Sequence, residues 1–348
     1  MTTPADRPSI GLGYWLLTAA VVVATFAALE AVLRAGVVWR LPLGIVKAVG
    51  ADRHLEAAWE IHQPPKLTPS VLVVGSSNIR VATELPRDGL ARVLRAVTRQ
   101  PVSVLSLCLS RASLDEYVIL LEAAFERGHR PEVVVVGVWP GQVSGFRDYD
   151  PLSAERMPLS SSWLLSDVEP VRDPDTLWER YGPRLLAVER FQFAVNAWMR
   201  NRFHDLLHQR FQWDVGGQDA ANDQELVPLL EDTRRLDMIG VIGEELTSDK
   251  AELSRMRLVL QLARSTGSRV IVLEAPWSPP VRQAFALVAG RYRTLMATLA
   301  REEGAVYVDP NEWLTLEEDK FADLFHVTPQ GQQRYAAAII PRLAAYLR

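Results

Sequence analysis

A chain of 348 residues with a net charge of −4 and a pI near 5.9 carries no bulk basic footprint, which argues against a nucleic-acid partner. Its length suffices for one large core, or for one core with an insertion. The one cysteine, Cys108, excludes an internal disulfide framework and leaves the compartment to be read from other features.

The first such feature is the run IGLGYWLLTAAVVVATFAAL at 10–29, which is 20 residues without a charge. At about 1.5 Å per residue it spans a hydrocarbon core of roughly 30 Å. A core helix of a soluble protein is normally amphipathic, whereas this run is apolar all round. It exceeds a signal-peptide h-region, and no clean small-residue cleavage site precedes Glu30. Residues 1–40 are therefore expected to form a transmembrane anchor that meets lipid through 10–29, with 41–69 as a juxtamembrane linker around Gln63-Pro64-Pro65. Arg34, Arg40, Lys47 and Arg53 follow the run and Arg7 precedes it, so the positive-inside rule alone places the remaining domain in the cytoplasm.

From residue 70 the pattern changes. Val71–Val74, Val102–Leu107, Val133–Val138, Val270–Leu273 and Ala305–Val308 are short, β-branched runs without period-2 alternation, as strands buried on both faces require. Helical stretches lie between them: Arg87–Thr98, Leu114–Arg127, Lys250–Thr266, Val281–Glu303 and Gln332–Leu347. Ser113 with Glu116 has capping-box spacing, and Gly128 and Gly267 stand where helix-ending glycines belong. The alternation predicts an α/β class, a doubly wound and mostly parallel sheet over 70–348. Between the third and fourth strands, about 142–247, aromatics such as Trp178, Phe191 and Trp213 sit among helix formers, which predicts a helical insertion whose aromatics form its own core or, some of them, a cap or saccharide-stacking wall.

In open α/β sheets, ligands bind beyond the carboxyl ends of the strands. Gly75-Ser76-Ser77 follows the first expected strand, and by itself it reads as a strand-end turn. The opposite end of the chain changes that reading. Residues 323–331 are Asp-Leu-Phe-His-Val-Thr-Pro-Gln-Gly, with Asp323 and His326 three positions apart. A serine hydroxyl is a weak nucleophile until a base takes its proton. Imidazole serves because it titrates near neutrality, and a carboxylate fixes its tautomer and stabilises the imidazolium. Ser77, Asp323 and His326 are thus the candidate catalytic residues.

These two blocks resemble those of the SGNH (GDSL-like) hydrolases and acyltransferases. In that family a strand leads into G-D-S or G-S-S, with the nucleophile last, and D-x-x-H near the C-terminus supplies acid and base. The resemblance covers roughly 70–142 and 250–348, and it implies an SGNH-like three-layer sandwich. The middle blocks depart from the pattern. Arg111 in LSLCLSRAS stands where a glycine N–H usually completes the oxyanion hole. Trp139 in GVWPGQ stands where an asparagine is usual. Asn78 and Gln142 are substitute donors by residue type, and losing one such donor costs on the order of 100- to 1,000-fold in rate.

The resemblance implies an acyl-serine intermediate, with either water or a hydroxyl as acceptor, and no cofactor or metal. Among its single-span members are proteins similar to the D-alanyl transfer protein and to O-acetyltransferases of exported polysaccharides. That implies an acyl donor, a glycan acceptor, a membrane-bound O-acyltransferase partner and an extracytoplasmic domain, against the charge count. The missing oxyanion residues leave a non-catalytic binding or assembly subunit as the alternative. His204 and His208 have helical zinc spacing, but without a third ligand they read as a polar helix face. Cys108 reads as a small buried residue.

Overall fold

The computed structural model describes residues 12–41, 53–65, 70–83, 89–109, 112–144, 242 and 253–347. The insertion expected at about 142–247 lies almost wholly outside them, as do Arg111, His204 and His208.

Helix α1, Leu12–Arg34, is 23 residues long, which is about 34 Å at 1.5 Å per residue. It is long and apolar enough to cross a membrane. Its large apolar side chains stand in the open, with Trp15 59%, Leu17 65% and Val23 66% exposed, unlike those of a soluble core helix. Among its described side chains, only Leu33, in its last turn, is buried against the rest of the chain. Gly36, at φ 65, then turns the chain into a 3₁₀ turn, Val37–Arg40.

The stretch expected to be a plain linker contains a second helix, α2, Arg53–His62. Its Ala57, Ala58 and Ile61 belong to the main core. Trp59 of this helix is partly buried and packs against the same core.

Five parallel strands follow, β1 Ser70–Gly75, β2 Ser103–Cys108, β3 Val133–Val138, β4 Arg269–Glu274 and β5 Val306–Val308, in the order β2-β1-β3-β4-β5. The helices between them include α3 Ser77–Thr83, α4 Gly89–Thr98, α5 Leu114–Glu126, α6 Leu253–Arg264, α7 Pro279–Ala284, α8 Ala289–Glu302 and, after β5, α9 Pro329–Ala345. One face of the sheet packs Leu72, Val74, Val134 and Val136 against residues of α2, α5, α6 and α8. The other packs Val71, Val73, Val133 and Val135 against α3, α4 and α9. All six positions of the central strand β3 are buried, which is why VVVVGV shows no polar alternation. Each fully buried valine there contributes roughly 1.5–3 kcal/mol.

Local signals agree with this layout. Ser113 and Glu116 form a reciprocal capping box at α5, and Gly128 and Gly267 have φ of 84° and 80°. The single helix expected over Val281–Glu303 is instead broken into α7 and α8, because Phe285 turns inward to pack 5.4 Å from the Trp277 ring. From β1 the chain passes to β2 on one side and then returns to β3 on the other. The carboxyl ends of β1 and β3 therefore flank the topological switch point, where open sheets leave a crevice.

Candidate active site

Ser77 is the first residue of α3, directly beyond β1 at this switch point. Two glycines make its position available. A Cβ on Gly75 would stand 2.9 Å from Ile79 Cβ, and one on Gly137 would stand 2.3 Å from Ile79 Cγ1. Val74 pairs with Val136, so Gly75 and Gly137 come next in the same register. Ile79 closes onto this bare patch of sheet, and α3 starts immediately above it. The intrahelical ladder begins with Arg80 N donating to Ser76 O at 3.0 Å. The backbone N–H groups of Ser77, Asn78 and Ile79, at the helix start, have no intrahelical acceptor.

The other half of the site is a short loop closed on itself. Phe321 and Val327 form an antiparallel bridge, Ala322 N donates to His326 O at 2.7 Å, and Thr328 N donates to Lys320 O at 2.8 Å. Inside the loop, Asp323 Oδ1 accepts from the N–H of Phe325 at 2.7 Å and of His326 at 2.8 Å. Gly331 is required where α9 comes back onto this loop, because a Cβ there would lie 2.2 Å from Lys320 O. That contact accounts for the glycine that ends DLFHVTPQG.

The two halves meet across 249 residues. His326 Nε2 lies 2.9 Å from Ser77 Oγ, and His326 Nδ1 lies 2.7 Å from Asp323 Oδ2. In this arrangement Nδ1–H donates to the carboxylate and Nε2 accepts from the serine hydroxyl. Burial works against ionising Asp323, but the His326 hydrogen bond and charge and the two backbone N–H groups outweigh it. They hold its carboxyl below the usual carboxylate range. The His326 and Asp323 side chains remain 31% and 21% exposed, so a substrate can reach the imidazole.

The oxyanion candidates separate clearly. Asn78 is adjacent to the serine, its Oδ1 3.4 Å from Ser77 Oγ, and its Nδ2 has no partner among the described residues. Gln142 has its side-chain amide hydrogen-bonded within the fold. Its Nε2 donates to Ala112 O at 2.8 Å and to Tyr117 Oη at 2.6 Å, while its Oε1 accepts from Trp139 N at 3.1 Å. These bonds tie the turn after β3 to the loop after β2 and to α5. Tyr117 Oη in turn donates to Gly137 O at 2.9 Å. Arg111 is outside the described residues.

Trp139 carries an indole where an asparagine is usual, and its backbone N–H donates to Gln142 Oε1. Its indole lies over Gly141, where a Cβ would come within 2.3 Å of the ring, and its centroid is 5.1 Å from that of Phe325. Phe325 immediately precedes His326, so Trp139 forms an apolar wall beside the histidine loop. The contact between Trp139 and Phe325 was not legible in the sequence, because nothing local links positions so far apart. Cys108 is buried at the end of β2, its Sγ 3.2 Å from the place of a Gly75 Cβ.

A cavity of about 660 Å³ lies elsewhere, along edge strand β5, and is lined by Arg293, Tyr307, Trp313 and Arg342. It is three strands from β1 and shares no residue with the triad. Among the described residues, no group of three or more His, Cys, Asp or Glu could hold a metal ion.

No family model matches this chain, and no curated protein does either.

Proposed function

We propose that this protein is a membrane-anchored serine esterase or O-acyltransferase of the SGNH type, working through an acyl-serine intermediate on an ester of a cell-envelope or exported glycan. The observation that carries the reading is the continuous hydrogen-bonded line Asp323–His326–Ser77, at 2.7 and 2.9 Å, at the switch point of a parallel sheet. In the reaction, His326 Nε2 takes the Ser77 proton as Oγ attacks the acyl carbonyl. Asp323 holds the imidazolium in place. His326 then protonates the leaving alkoxide, and the acyl group passes to water or to a glycan hydroxyl activated by the same imidazole. The Ser77 N–H and the Asn78 amide are the donors assigned to the oxyanion. The helix α1 supports a single-pass location, and the glycan substrate and a membrane-bound O-acyltransferase partner follow from the resemblance alone.

Trp139 in the usual asparagine position, together with the committed Gln142 amide, favours a second reading as a non-catalytic binding or assembly subunit. A fluorophosphonate serine probe decides between them. Labelling of the wild type but not of Ser77→Ala supports the enzyme. Equal labelling of the two forms contradicts it.

A further inference from the structure

The described residues between α1 and the sheet, 35–41 and 53–65, form a stapled collar. Leu33, at the end of α1, is buried in the same core as Ala57, Ala58 and Ile61 of α2. The Trp39 ring stacks on His62 at 3.9 Å, and Trp39 O accepts from Gln63 Nε2 at 3.0 Å. Trp59 Nε1 donates to Leu41 O at 2.9 Å. Besides this core packing, the C-terminal end of α2 is hydrogen-bonded to the segment just after α5. There Arg127 Nη2 lies 2.7 Å from His62 Nε2, and His129 Nε2 lies 2.9 Å from Ile61 O. Three residues after His129, Glu132 N donates to Ser70 O, at the first residue of β1. The foot of the anchor is therefore fixed at the edge where the strands start. Ser77 is at the edge where they end, six β1 residues away, or about 20 Å at 3.3 Å per residue.

Resting on the serine reading above, we propose that this collar holds the nucleophile off the bilayer, so that the protein takes acyl esters presented from the aqueous phase and not esters seated in the membrane at the anchor's foot. A free tether would let the site swing down to the lipid surface. A collar with a buried leucine, a ring stack and several hydrogen bonds does not, and a geometry that forbids engagement removes the benefit of tethering altogether.

The test uses the full chain in phosphatidylcholine vesicles with two aryl acetates that present the same acetyl group. One is p-nitrophenyl acetate in water, and the other is the acetate of a long-chain phenol embedded in the bilayer. The companion variant carries a flexible Gly/Ser insert of about 20 residues between Arg34 and Val37, with a reach of roughly 25 Å. The expected result is that the insert raises turnover of the embedded ester about tenfold or more, through effective concentration, and leaves the soluble ester unchanged. Equal turnover of the embedded ester by both forms, whether high or zero, overturns the proposal while soluble turnover persists. Absence of turnover of either ester, with no fluorophosphonate labelling of Ser77, overturns the serine reading itself.

Discussion

At the scale of single residues, the site separates groups that act from groups that hold. Among the described residues the Asn78 Nδ2 beside Ser77 has no hydrogen-bond partner, whereas both N–H groups of the Gln142 amide have one. Asn78→Ala is expected to lower acylation by about 100- to 1,000-fold with little change in melting temperature. Stopped-flow acylation kinetics alongside thermal unfolding check this. Asp323→Asn leaves the loop nearly isosteric but favours the wrong imidazole tautomer, and kcat is expected to fall by about 1,000- to 10,000-fold. The pH dependence follows from the depressed Asp323 carboxyl. A carboxyl lowered by folding contributes stability above its unfolded pKa of about 3.9, and that stability is lost as pH falls through the folded value. The stability gap between wild type and Asp323→Asn should therefore narrow below about pH 4 in urea titrations.

Glu274 shows the opposite sign. Its side chain is fully buried, and burial first, then the nearby Asp309 charge, push its pKa well above the usual range against hydrogen bonds from Tyr292, Trp277 and Tyr307. A carboxyl raised by folding gives its full contribution below about pH 4.3, and that contribution is lost as pH rises towards the folded value. Glu274→Gln should gain stability relative to wild type between pH 5 and pH 8, read from urea midpoints.

At the scale of elements, three glycines set how closely the pieces approach. Gly75 and Gly137 receive Ile79, and Gly331 receives the Lys320 carbonyl. Gly137→Ala overpacks the base of α3 and should cost about 1–3 kcal/mol, with partial recovery in Gly137→Ala/Ile79→Ala, measured by chemical denaturation. The five strands were legible because parallel strands buried on both faces leave an unbroken apolar run. Ser77, Asp323 and His326 were legible as a set because strand-end position and D-x-x-H spacing are local signals. Trp139 against Phe325, the commitment of Gln142 and the inward turn of Phe285 were not, since each depends on a partner brought near only by the fold. The α2 helix was not expected from the sequence for a related reason, since its packing depends on core partners that only the fold brings near.

At the scale of the whole molecule, an apolar helix leads into residues that pack against one face of a parallel sheet, and Ser77, His326 and Asp323 meet beyond the carboxyl end of β1. Orientation across the membrane is where charge and chemistry diverge. Arg34, Arg40, Lys47 and Arg53 favour a cytoplasmic domain, and a glycan ester requires the opposite side. A reporter fused after residue 348 should be active on the extracytoplasmic side, and a cytoplasmic signal would remove the envelope glycan as substrate while leaving serine esterase chemistry in place.

The central claim is that Ser77 becomes acylated. Rapid quench of the full chain with p-nitrophenyl acetate, followed by peptide mapping, measures this directly. The account predicts one acetyl group on the peptide carrying Ser77, absent in Ser77→Ala and strongly slowed in His326→Ala. Turnover with no acetyl group on that peptide, or an adduct that forms equally fast without His326, would contradict it.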